Sequence, residues 1–210
     1  NGDQKVIGVF NRAGELQRTI RQPMEDVYEE FRSLAWDGEN LWGSINSWNE
    51  GNGVRMLLML DAEGNIEDTI LVPFDFYKCL PFVFSPGGET IYVTESESSL
   101  LKMDREGNVL ESWQIVFPGR LSEVTGIGYN QFDIDGMPLY LLEIGEEDGV
   151  DTLLRFIKFN PENGDWKVQY VIQAEGFNGE LGLRNAFGAT VVTSGYEGDV
   201  VSLGVVQAYG

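Results

Sequence analysis

Histidine is absent from the 210-residue chain, and Cys79 is its one cysteine. Without an imidazole, Ser-His-Asp and Cys-His nucleophilic catalysis is excluded, as are transition-metal centres built on histidine. A single thiol forms no internal disulfide, and beside Leu80, Pro81 and Phe82 it reads as a small buried hydrophobe. Cations are scarce too: 14 Lys and Arg face 34 Asp and Glu, a formal charge of -20 spread along the chain. Such a field repels phosphate backbones and anionic headgroups and favours basic partners or cations, so no nucleic-acid partner is expected. No apolar run approaches the roughly 18 residues of a membrane span, so no membrane insertion is expected.

What the chain does have is a phrase repeated four times. "VFNRAGELQRTI" (9–20), "MLDAEGNIEDTI" (59–70), "LKMDREGNVLESW" (101–113) and "KFNPENGDWKVQYV" (158–171) share one grammar: an apolar run, Asp or Asn, a few polar residues, Gly, and a second alternating run. Period-two alternation of β-branched and aromatic residues predicts half-buried strands. The polar segment ending in glycine predicts a type I turn followed by a residue at positive φ, the place of Gly14, Gly64, Gly107 and Gly164.

Three of these hairpins follow another: "SLAWDGENLWGS" (33–44), "FVFSPGGETIYVTE" (82–95) and "GIGYNQFDIDGMPLYLLEIGE" (126–146), with Trp42, Tyr92 or Tyr140 in the second run. Two hairpins in series make a four-stranded antiparallel unit, and the turn glycines recur at roughly 50 residues, near the repeat of propeller blades. A lone blade leaves apolar faces uncovered, so copies pack face to face around an axis. The expected fold is an all-β β-propeller forming a single domain over 1–210, with four blades favoured and five where the chain is a piece of a longer one. The blades are expected at 31–78, 79–118 and 119–178, with a composite fourth that joins 179–210 to 1–30, since "ATVVTSGYEGDVVSLGVVQA" (189–208) supplies a first hairpin and 5–20 a second.

"SLAWDGENLWGS", the "MDREGN" turn and the closing "GATVVTSGYEGDVVSLGVVQAYG" resemble the small secreted β-propeller domains of environmental bacteria, especially those attached to cell-surface sorting domains. The resemblance covers nearly the whole chain and rests on blade grammar. It implies export to the cell surface, about five blades, and a binding or scaffolding role with no catalytic residues to carry over.

Loops on a rigid scaffold are where binding usually sits. The loops joining strand two to strand three, and blade to blade, gather on one face and are long, acidic and aromatic. Two readings compete for that face. Trp48, Phe74, Phe76, Tyr77 and Phe117 form a stacking platform for a sugar or peptide, with Glu29, Glu30 and Glu123 as acceptors, or the same aromatics are packing wedges between blades. A calcium ion, which takes six to eight oxygens, is a further option at "NQFDIDG" (130–136) and "GEEDGVD" (145–151), with Asp133, Asp135, Glu146 and Asp148 as candidate ligands. Neither segment matches a twelve-residue calcium loop, so no cofactor is required.

The inner strands carry no convergent carboxylate pair of the kind that acid-base hydrolysis needs. GxxxxGK[ST], GxSxG and CxxC are missing as well. The sequence therefore favours a non-catalytic extracellular module that binds or assembles a protein, a cell-surface polymer or other copies of itself. The alternative is a calcium-dependent hydrolase or lyase acting on a carbohydrate or lactone.

Overall fold

A computed structural model describes residues 6–11, 13–21, 31, 33–49, 52–73, 81–94, 99–115, 120–147, 150–173, 189–193 and 201–205. Sixteen strands and no helix are found among them. The first blade is the antiparallel meander β3 (Ser33–Trp36), β4 (Leu41–Asn49), β5 (Asn52–Leu60) and β6 (Ile66–Val72). The second is β7 (Phe82–Phe84), β8 (Ile91–Thr94), β9 (Ser99–Met103) and β10 (Val109–Gln114). The third is β11 (Arg120–Tyr129), β12 (Leu139–Glu147), β13 (Val150–Phe159) and β14 (Trp166–Gln173). Two hairpins flank them, β1 (Val6–Phe10) with β2 (Leu16–Arg21) and β15 (Ala189–Thr193) with β16 (Val201–Val205). The first strands β3, β7, β11 and β15 touch in succession, which gives the meanders the common axis of a β-propeller.

Each repeated phrase folds as a hairpin because its Asp or Asn ties the turn to itself. Asp61 Oδ1 accepts from the Glu63 and Asn65 amides at 2.9 and 2.8 Å, and Asp104 Oδ1 accepts from those of Glu106 and Asn108 at 3.0 and 2.8 Å. Asn65 and Asn108 also donate their side-chain amides to the same carboxylates. These bonds hold both carboxyl groups below the ordinary range. The four turn glycines have φ between 77° and 93°, as the sequence predicts. Gly107 has a second constraint: a Cβ there would lie 2.6 Å from the Leu71 carbonyl of the preceding blade. The turn thus docks one blade on the last.

Burial follows the faces between blades. Trp42, Leu57 and Ile70 of the first blade pack on Phe82, Phe84 and Ile91 of the second, while Leu100 and Ile115 of the second meet Ile127, Leu141 and Phe159 of the third. Inside the third blade the cross-strand pair Glu143 and Arg155 is buried, with Arg155 Nη1 donating to both carboxylate oxygens at 2.8 and 3.0 Å. Burial pushes the Glu143 carboxyl up against the pull of Arg155.

Three four-stranded blades are complete among the described residues, and the other four strands make the two hairpins that the expected composite blade would join. Among the described residues β1–β2 and β15–β16 are separate two-stranded sheets with no ladder between them. Ile7 of β1 joins Ile45, Leu58 and Leu60 of the first blade, whereas β15 lies against β11 and β12 of the third. One half-blade thus packs on the first blade and the other on the third, the two blades that flank the fourth position of a four-bladed ring.

Candidate functional site

One cross-strand row recurs in every complete blade, running from inner to outer strand. It reads Ala35, Trp42, Met59, Asp68 in the first blade, Val83, Tyr92, Lys102, Glu111 in the second and Gly128, Tyr140, Lys158, Lys167 in the third. In the first two blades this row faces the next blade. Its aromatic member is buried in all three, with Trp42 0%, Tyr92 5% and Tyr140 2% exposed.

In the first blade the polar tip of the aromatic is fully engaged. Trp42 Nε1 donates to Asp37 Oδ2 at 2.8 Å, and Asp37 Oδ1 accepts from the Glu39 and Asn40 amides at 2.8 and 2.6 Å. Arg105, from the β9–β10 turn of the second blade, closes the group from across the interface. Its Nη2 donates to Asp37 Oδ2 at 2.8 Å and its Nε to the Gly88 carbonyl at 2.6 Å. The guanidinium carbon lies 5.3 Å from the Trp42 ring centre and 5.0 Å from that of Phe84, within cation–π range. Burial alone would raise the Asp37 carboxyl, but the two amides, the indole and the guanidinium outweigh it and hold the group far below the usual carboxylate range.

The third blade closes its row with its own residues. Tyr140 donates its hydroxyl to Asp133 Oδ2 at 2.6 Å and accepts from Asn130 Nδ2 at 3.0 Å. The Lys158 ammonium donates to Asp133 at 2.5 Å and Asp135 at 2.9 Å, and sits 5.4 Å from the Tyr140 ring centre. Lys167 donates to Asp135 as well, at 2.9 Å. Burial works against the Lys158 charge, yet the two carboxylates raise its pKa, and Asp133 is correspondingly lowered.

The second blade closes nothing. Where the first blade has Asp37 after its inner strand the second has Ser85, whose hydroxyl accepts from its own turn, the Thr90 amide at 3.2 Å. Where the second blade offers Arg105 in its outer turn the third offers Pro161, which has no side-chain donor. Tyr92 therefore stacks on Tyr129, 5.9 Å between ring centres and 27° between planes. Among the described residues no group hydrogen-bonds its hydroxyl. Burial, then Tyr129, Glu111 and Glu162, push its pKa up to about 12, so it remains a phenol. A cleft of about 610 Å³ opens over it between the second and third blades. Beside Tyr92 and Tyr129 its polar walls include Lys102, Glu111, Asn160 and Glu162. Lys102 and Glu111 are only loosely paired, at 4.0 Å.

This cleft lies on the face of the hairpin turns, opposite the loop face that the sequence suggests. Of the residues expected there, Trp48 is on β4 opposite Gly53 and Glu123 on β11 opposite Ile144. Phe74, Phe76, Tyr77, Phe117, Glu29 and Glu30 lie outside the described residues. Of the four candidate calcium ligands, Asp133 and Asp135 come together, with the Lys158 ammonium on both Oδ2 atoms and that of Lys167 on Asp135 Oδ2. Glu146 is on β12 opposite Asp151, and Asp148 lies outside the described residues. Lys102, Glu111, Asn160 and Glu162 are absent from the sequence-based set. No local signal singles them out: the residue after the inner strand is Asp37, Ser85 or Asn130 and the residue after the turn's Asp or Asn is Ala62, Arg105 or Pro161, different in every blade.

No family model and no curated protein matches the sequence. Among solved structures the chain is similar to the Dos1 propeller, at 9% identity and a TM-score of 0.43 over 79% of this chain and 39% of that one. It is also similar to the Cps50 (Swd1) β-propeller domain of Myceliophteria thermophila, at 11% and 0.44 over 81% and 67%. A Bacteroides caccae protein of unknown function matches at 12% and 0.40 over 85% and 72%. Likenesses this distant carry no weight for fold or function; strand order and the succession of inner strands make the chain a propeller.

Proposed function

We propose that this propeller is a non-catalytic binding module whose partner is a protein, held in the cleft between its second and third blades. The carrying observation is Tyr92: a phenol 5% exposed, without a hydrogen-bond partner among the described residues, set in the wall of an open polar cleft. Its hydroxyl opens on the cleft, where a ligand can take over the hydrogen bonds that water otherwise makes. The charge of -20 selects for basic partners and speeds their encounter. Export to the cell surface belongs to the same proposal, supported by the single cysteine and the acidic composition. No cofactor enters it.

The test is saturable association with purified basic globular proteins, compared with acidic ones, by calorimetry at low and physiological salt. One-to-one binding of a basic protein that weakens with salt is expected. The rival, a calcium-dependent hydrolase or lyase, predicts turnover of esters, lactones or glycosides that calcium stimulates and one carboxylate substitution abolishes. That result would reverse the assignment.

A further inference from the structure

Resting on the binding-module reading, we propose that the cleft between the second and third blades is a seat for a guanidinium group, presented by an arginine of a basic partner protein. The protein itself contains the template. At the interface between the first and second blades, the guanidinium of Arg105 lies against the aromatic of the second strand, on a carboxylate and on the carbonyl of Gly88.

The next interface repeats the surroundings of that guanidinium without supplying one. Tyr92 takes the place of Trp42 in the row, and Gly136 takes that of Gly88, each three residues before its second strand at positive φ, 68° and 73°. Pro161 takes the place of Arg105, the residue after the turn's Asp or Asn. A Cβ on Gly88 would lie 2.5 Å from Arg105 Nη2 and 2.8 Å from the Asp37 carbonyl, whereas one on Gly136 meets nothing within 4 Å. Gly136 lines the cleft. Charge follows the same division of labour. The carboxylate lost with Asp37 is replaced by Glu111 of the second blade and Glu162 of the third, both in the cleft wall and both acting on the Tyr92 phenol. Lys102, drawn toward Glu111, leaves Glu162 the more available acceptor.

An arginine suits this site better than a lysine because its planar fork offers donors in several directions at once, toward Glu162, the Tyr92 oxygen and the Gly136 carbonyl. A neutral isostere keeps the shape and loses the charge. That difference is what the test reads.

The experiment titrates the isotope-labelled protein with the tripeptide acetyl-Gly-Arg-Gly-amide, its citrulline counterpart, and ethylguanidinium alone, following amide and tyrosine ring resonances. The arginine peptide should saturate shifts at Tyr92, Tyr129 and Gly136, bind more tightly than ethylguanidinium, and outbind the citrulline peptide by about tenfold or more. Tyr92→Phe should weaken it by about tenfold and Glu162→Gln by about fivefold. Glu63→Gln removes the same charge from the same turn position in the first blade and should change affinity by less than about twofold. Pro161→Arg should fill the cleft from within, abolish peptide binding and raise the melting temperature. Equal binding of the citrulline peptide overturns the proposal, as does an unaffected Glu162→Gln. Equal binding of ethylguanidinium overturns the partner-protein source. Salt-dependent binding of a basic protein that survives the Tyr92→Phe, Glu162→Gln double variant would remove this cleft as the partner's seat, here and in the proposed function, and leave only the binding-module reading standing. Absence of any such binding would remove both.

Discussion

The interface between the first and second blades and the one between the second and third have the same strand register and the same buried aromatic, yet one is sealed and the other open. Two side chains account for the difference. At the sealed interface Asp37 and Arg105 satisfy the indole of Trp42 and each other; at the open one Ser85 and Pro161 stand in their places, and Tyr92 faces a cleft. In a repeat fold the backbone ladder fixes where each row runs, and the turn residues decide whether a row is structural glue or accessible surface. The third blade makes the same point differently, closing its row with Asp133 and Lys158 from within one sheet.

The contrast breaks most visibly at its aromatic. Trp42→Ala removes a side chain that is 0% exposed at the centre of the sealed interface and should cost about 3–5 kcal/mol, read as the urea midpoint. Next comes the acid. Asp37→Asn keeps an acceptor for the turn amides but loses the ion pair with Arg105, with an expected cost of about 1.5–3 kcal/mol. The same residue makes stability depend on pH. Because its folded pKa is depressed, its contribution is complete above the unfolded value of about 3.9 and is lost as pH falls through the folded value. Urea midpoints should drop below about pH 4, with a shallower drop in the Asn variant. An equally steep drop there would assign the acid sensitivity to other carboxylates.

Gly107→Ala tests the turn that docks the second blade on the first. It forces a side chain into positive φ and against the Leu71 carbonyl, and should destabilise by about 1–3 kcal/mol. The smallest effect sharpens the comparison best. Tyr92→Phe deletes a hydroxyl that no described residue satisfies, so stability should stay within about 0.5 kcal/mol or rise slightly. A loss comparable to that of Asp37→Asn would mean that the second interface is sealed like the first.

The strands and turns of this fold are legible in the sequence because they depend on local chemistry. The continuous apolar run Met56–Leu60 marks β5, and the Asp-x-x-Gly phrase forces the same hairpin at Gly64 and Gly107. What escapes a local reading is set across interfaces. Arg105 appears as one polar turn residue among several, and nothing near it in the chain shows that its partner is Asp37, 68 positions away. The expected calcium ligands Asp133 and Asp135 fail to announce Lys158 and Lys167 for a similar reason: those lysines arrive from β13 and β14, beyond any turn motif.

The two largest cores each straddle two adjacent blades. The free energy that keeps a blade folded is therefore held jointly with its neighbour, as in a row of coupled units where order at one site depends on order next door. Amide exchange should accordingly be graded along the chain, slowest in β8 and β9, which are flanked on both sides, and faster in β1–β2 and β15–β16, which are two-stranded among the described residues. Evolution inherits the same arithmetic: a duplicated blade brings one new interface with it, and a single changed turn residue at that interface is enough to turn a copy made for stability into one available for recognition.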